Sequence, residues 1–231
     1  KRIDRQYALF LLRETKRIDR QYITEEIRSV LNFDKGIFYT IKELFIRPGD
    51  TVKNFVDGDR KRIVKQIIFL IISSLIYTIG QQFLSYEAGY IKFDIADTND
   101  TKIIIKVFDW FSKNYGYANI IMAAFIAIWT RLFFTKYNYN FYEIYILLCY
   151  IMGISVLIYT LLGIIESAID FTVIRLGIFI SLTYSTWAIG QFFDRKKKIN
   201  YLKGFLSYLF GIITSLIIFF GIGIGIDILL K

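Results

Sequence analysis

The sequence predicts an all-α integral membrane protein, a bundle of five transmembrane helices with N-terminal cytoplasmic amphipathic helices and a structured outer loop. Three observations predict it. The 231 residues are 55% hydrophobic and 18% aromatic with positive mean hydropathy, although the net charge is +9. Five runs of roughly 18 or more mostly apolar residues, the length that crosses a hydrocarbon layer, follow one another along the chain. The segments between those runs alternate in basic bias, as the positive-inside rule requires.

The five runs set the boundaries. They are residues 67–84, 118–134, 144–165, 171–193 and 205–230, the last long enough to tilt. Residues 1–62 form a cytoplasmic N-terminal region and residues 63–231 the membrane domain. Residues 1–66 hold 16 Lys and Arg against 10 Asp and Glu, and residues 194–204 hold 5 against 1. Residues 85–117 hold 4 against 5, and residues 166–170 hold none against 2. The N-terminus and the loops 131–143 and 194–204 are therefore expected in the cytoplasm, and the C-terminus outside. The charge needs no nucleic acid to explain it, because the basic residues stand where topology calls for them.

Within the N-terminal region, Ile37, Phe38, Ile41, Leu44 and Phe45 form one apolar stripe of a helix. Pro48, the only proline, is expected to end that helix. Gly49 supplies turn freedom, and Asp50 or Thr51 caps a second short helix with Val52, Phe55 and Val56 on one face. Gly58 stops it, and Asp59 caps the first span, whose opening turns carry Arg60, Lys61, Arg62 and Lys65. Both short helices are expected along the inner membrane surface, as an elbow orienting the first span. Upstream, "KRIDRQY" occurs at residues 1–7 and again at 16–22, too short an array for a repeat fold. The chain opens on Lys1 rather than Met and is expected to be part of a longer product without a signal peptide.

The outer loop, residues 85–117, is long enough to carry structure of its own. Lys102, Lys106, Asp109 and Lys113 fall on one helical face, and Trp110 would anchor that helix at the outer interface.

Chemistry is sparse. There is no histidine, and the single Cys149 allows no intrachain disulfide and reads as a small apolar residue. No P-loop, nucleophile–base pair or metal cluster stands in the sequence, so no catalytic residue, cofactor or metal is expected. Ionisable residues near the spans are Arg131, Glu143, Glu166, Asp170, Arg175 and Asp227, all close to span ends. Deeper polar groups, among them Ser73, Ser74, Thr78, Ser155, Ser181, Thr183, Ser185 and Thr214, are expected to bridge helices. Gly221 and Gly225 form a GxxxG helix-contact motif.

From about Tyr22 onward the chain resembles the uncharacterised bacterial family DUF3667, found mainly in Bacteroidota. "LFIRPGDTVKNFVDGDRKR" with the span after it, and "NYGYANIIM", carry the resemblance. It makes Pro48, Gly49, Gly58 and Arg60 the signature positions. Members often begin with a Cys-rich zinc ribbon, an element that does not stand here, and the layout is similar to that of Yip1-like five-span proteins. The resemblance implies architecture and names no activity. The expected function is therefore non-enzymatic: an inner-membrane scaffold, assembly factor or accessory subunit. Its partners would be the bilayer and another membrane protein or a second copy. A channel or transporter for a small solute is the alternative.

Overall fold

A computed structural model describes residues 36–59, 62–84, 114–169, 173 and 176–229, with the side chains of 115, 223, 224 and 226–229 excepted. Seven α-helices run through these residues: α1 Ile37–Ile46, α2 Pro48–Val56, α3 Gln66–Leu84, α4 Tyr115–Phe133, α5 Phe141–Ala168, α6 Leu176–Asp194 and α7 Lys198–Leu229. Helices α3 to α7 are each long and apolar enough to cross a membrane. The repeated "KRIDRQY", Arg60, Asp170, Arg175 and most of the expected outer loop, including Lys102 to Lys113, lie outside the described residues.

Hydropathy locates the apolar part of a helix, whereas capping chemistry locates its ends, and the two differ here. The third span was expected over 144–165, but α5 begins at Phe141. The Asn140 side chain accepts from the Glu143 amide at 2.9 Å, and the Glu143 carboxylate accepts from the Asn140 amide at 2.8 Å. This reciprocal capping box satisfies two otherwise orphaned donors. Glu143 is thus a helix cap. Asn138, at φ 56°, turns the chain between α4 and α5 in the left-handed region that asparagine tolerates. The fifth span was expected from residue 205, yet α7 starts at Lys198, since basic residues good at helix formation extend it beyond the apolar core. "NYGY", expected in the outer loop, instead opens α4.

The bundle is arranged around α5. From Leu147 to Thr160 every residue of this helix is buried, as a helix apolar all round should be. Helices α3, α4 and α6 pack against it, and α7 closes the far side by packing on α4 and α6. Cys149 lies fully buried in this core. Outward-facing Ile67, Ile71, Leu75 and Phe83 of α3, and Ile213, Ile217 and Ile222 of α7, leave the apolar belt that lipid would cover.

Small residues permit this packing, at positions other than those expected. A Cβ on Gly211 would lie 2.5 Å from the Ile126 Cα, so α7 and α4 meet backbone to backbone there. A Cβ on Gly153 would fall 2.6 Å from the Phe69 ring, and one on Gly190 would fall 2.5 Å from the Tyr201 ring. Gly221 and Gly225, by contrast, have open space where a Cβ would go, so among the described residues the GxxxG pair makes no close helix contact. Several of the singled-out hydroxyls bond within their own helix. Ser73, Thr78, Thr183 and Ser185 each donate to the carbonyl four residues earlier on their own helix. Thr214 does bridge helices as expected, accepting from Trp129 Nε1 at 2.8 Å, and Thr130 to Ser207 at 3.3 Å joins the same two helices.

Two substitutions separate the glycines by their surroundings. Gly211→Ala should lower the melting temperature of the purified chain, because the added methyl overpacks the α4–α7 contact by roughly 1–3 kcal/mol. Gly221→Ala should leave it unchanged or raised, since alanine favours a helix and nothing is displaced.

Candidate functional site

The site that the sequence singles out is the elbow, and the structure seats it on one end of the bundle. Helix α1 ends where Arg47 leaves helical geometry, with φ −148° and ψ 63°, as a residue before proline is driven to do. Pro48 does more than break that helix. It is the first residue of α2, where its missing N–H costs no bond and its fixed φ favours the helical start. The helix expected to begin near Thr51 therefore starts three residues earlier. Thr51 is buried within it, donating to the Arg47 carbonyl at 2.8 Å.

Gly49 needs a different explanation from the one expected. It sits inside α2 and has no positive φ, so turn freedom is not what the position requires. A Cβ there would lie 2.5 Å from the Gln191 carbonyl carbon and 2.6 Å from the Phe192 nitrogen. The glycine lets the α2 backbone touch the α6 backbone. Around it, the Gly49 amide faces Gln191 Oε1 at 3.4 Å, Lys53 Nζ donates to the Phe193 carbonyl at 3.4 Å, and Asp50 lies 3.8 Å from Arg195.

The other end of α2 follows expectation. Gly58 has φ 123°, its amide reaches the Phe55 carbonyl at 3.4 Å, and the Asp59 amide reaches Asn54 at 2.9 Å. This pair of bonds is the Schellman closure of a helix. Asp59, expected to cap the first span, completes that closure and pairs its side chain with Arg62 at 2.9 Å. The span itself begins seven residues later, at Gln66.

Tyr150 and Tyr184, which the sequence reading did not single out, hold the elbow to the core. The Tyr150 hydroxyl donates to the Val64 carbonyl at 2.7 Å, and its ring packs edge-on against Phe55 of α2 and tilted against Phe69 of α3. The Tyr184 hydroxyl donates to the Leu44 carbonyl at 3.1 Å. Thr40 ties the link down, accepting from the Val64 amide at 3.0 Å while donating to the Gly36 carbonyl. A tyrosine in an apolar run is the available signal for such a contact, because a buried phenol seeks an acceptor.

The α4–α5 connection arrives at the same end. Phe134 stacks on Phe193 with ring centroids 3.8 Å apart, and Tyr139 packs on Phe192 at 4.7 Å. Burial, then the carboxylates of Asp57 and Glu143, raise the Tyr139 phenol above its ordinary pKa, so it stays neutral. Asn200 donates to the Tyr137 hydroxyl at 2.8 Å, and Lys203 donates to the Phe133 carbonyl at 3.1 Å. The elbow, the 134–140 connection and the 195–197 turn thus share one end of the bundle.

Residues 34–78 match the model of the family described as "Protein of unknown function (DUF3667)". The match takes in the elbow and ends within α3, the first span. No curated protein and no solved structure matches the chain. Of the signature positions, Pro48, Gly49 and Gly58 are placed by the structure in the DUF3667 segment, each with a separate backbone role, while Arg60 lies outside the described residues. Among the other singled-out residues, Arg131 is exposed near the end of α4 and Glu166 is half-buried near the end of α5. Neither is brought to the elbow.

Tyr150→Phe removes the one hydroxyl that meets the Val64 carbonyl while keeping the ring. It should lower unfolding free energy by about 1–3 kcal/mol, measured by denaturation in detergent, because a half-buried carbonyl loses its donor.

Proposed function

We propose that the chain is a non-enzymatic scaffold, assembly factor or accessory subunit of a bacterial inner-membrane complex, with a layout like that of Yip1-like proteins. The observation that carries this reading is the filled centre of the bundle. The run Leu147–Thr160 of α5 is buried on all sides, where a transporter would instead place a solute path at the interface of its repeats. The elbow adds a second support, because it is fixed to the bundle through backbone contact at one end.

The orientation proposed is elbow inward, C-terminus outward. Lys42, Lys53, Lys65, Lys136 and residues Arg195 to Lys198 gather at the elbow end, whereas Glu166 stands at the other. A basic end against a cytoplasmic leaflet is what the positive-inside rule favours.

Affinity purification from native membranes with mass spectrometry tests the function. A second membrane protein in stoichiometric yield is expected, whereas solute uptake by the lone chain in liposomes would replace this reading with a transporter. For orientation, a membrane-impermeant thiol reagent applied to intact cells should label Ser167→Cys and leave Lys197→Cys unmodified. The reverse pattern would overturn the topology.

A further inference from the structure

A notch of about 80 Å³ lies between α1, α2 and the link into α3. Tyr39 and Glu43 of α1, with Arg47 just past its end, line one side of it. Asn54, Asp59 and Arg62 stand in the opposite wall. All six residues fall within the 34–78 segment that matches the family model.

The two arginines are held alike. Glu43 Oε2 meets Arg47 at Nε, 2.6 Å away, and Asp59 Oδ2 meets Arg62 at Nε, 2.9 Å away. Each carboxylate approaches the stem side of the guanidinium and restricts its swing. Among the described residues neither arginine bonds a second acceptor residue. The terminal nitrogens, the pair that grips an oxyanion bidentately, remain available on both. Each pair joins near neighbours in sequence and leaves its arginine side chain more than half exposed, while the Glu43 side chain is largely covered.

We infer that this notch is a phosphate-binding site, in which Arg47 and Arg62 hold one oxyanion between them. The two arginines and the two carboxylates sum to zero charge. A free phosphate dianion would be opposed by Glu43 and Asp59, whereas a zwitterionic phosphodiester places its ammonium beside those carboxylates and the Tyr39 ring. The chemistry therefore selects a phosphoethanolamine group, and the elbow lies at the end of the bundle where lipid headgroups stand.

The test uses the full chain, delipidated in detergent, with native mass spectrometry and melting curves as readouts. The probes are phosphatidylethanolamine, phosphatidylcholine and inorganic phosphate, each offered separately. Phosphatidylethanolamine should bind and raise the melting temperature, and binding should weaken about tenfold or more in Arg47→Gln/Arg62→Gln. Binding of inorganic phosphate or phosphatidylcholine as tight as that of phosphatidylethanolamine would overturn the selection of a phosphoethanolamine group. Arg47→Lys/Arg62→Lys, which keeps charge but loses the fork, should bind more weakly than the parent; equal binding would overturn the bidentate grip. Unchanged binding in the Gln variant, with an unaltered gel-filtration profile, would overturn the site. So would failure of the parent chain to bind any of the three probes.

Discussion

The structure depends on one close approach, the α2 backbone against the α6 backbone at Gly49. Two helices normally stand apart by the width of their side chains, but here the first has none at the contact point. That approach fixes where α2 lies, and α2 in turn carries Phe55 to Tyr150 and the Schellman closure to the link before α3. The entry angle of the first span follows from it. The elbow is thus less a flexible hinge than a wedge, locked to a helix more than 140 residues away in sequence.

A second layer of bonding makes the wedge specific. Tyr150, Tyr184 and Thr40 each spend a hydroxyl on a backbone group that irregular chain would otherwise leave unpaired in a poorly hydrated place. Stacked Phe134 and Phe193 bring the α4–α5 connection to the same end, with Tyr139 beside them on Phe192. Three segments far apart in sequence therefore form one continuous base under the bundle, and this base carries the notch of Arg47 and Arg62. Rigidity suits a binding role, because groups already in place lose little entropy when a ligand or partner arrives.

The spans were legible because a run of apolar residues about 30 Å long has few other uses. The first span begins within one residue of its expected start, and Gly58 ends α2 as its position implied. The ends of the other spans were less legible, because Asn140 with Glu143 and the basic run at Lys198 extend helices past their apolar parts. Gly49 was legible as a signature residue, but its reason was not. Turn freedom and close approach select the same residue, and only the position of Gln191 in space separates them. The same limit applies to Gly221 and Gly225, whose spacing reads as a contact motif while the contacting glycines Gly153 and Gly211 stand in no GxxxG pair. Tyr150 and Tyr184 were hidden among 17 tyrosines, most of which an interface belt would account for equally well.

The wedge is tested most directly by Gly49→Ala, because a docked and an undocked α2 predict opposite signs. In a helix free of the bundle, alanine would be favoured over glycine by up to about 1 kcal/mol. Seated against α6, the added methyl would need space already filled by Gln191 and Phe192, at a cost of roughly 1–3 kcal/mol. Thermal unfolding of the purified variant, with hydrogen exchange read across residues 48–56, decides between them. A lower melting temperature with faster exchange in α2 is the result expected of a docked elbow. A melting temperature equal to or above that of the parent, with exchange unchanged, would contradict it.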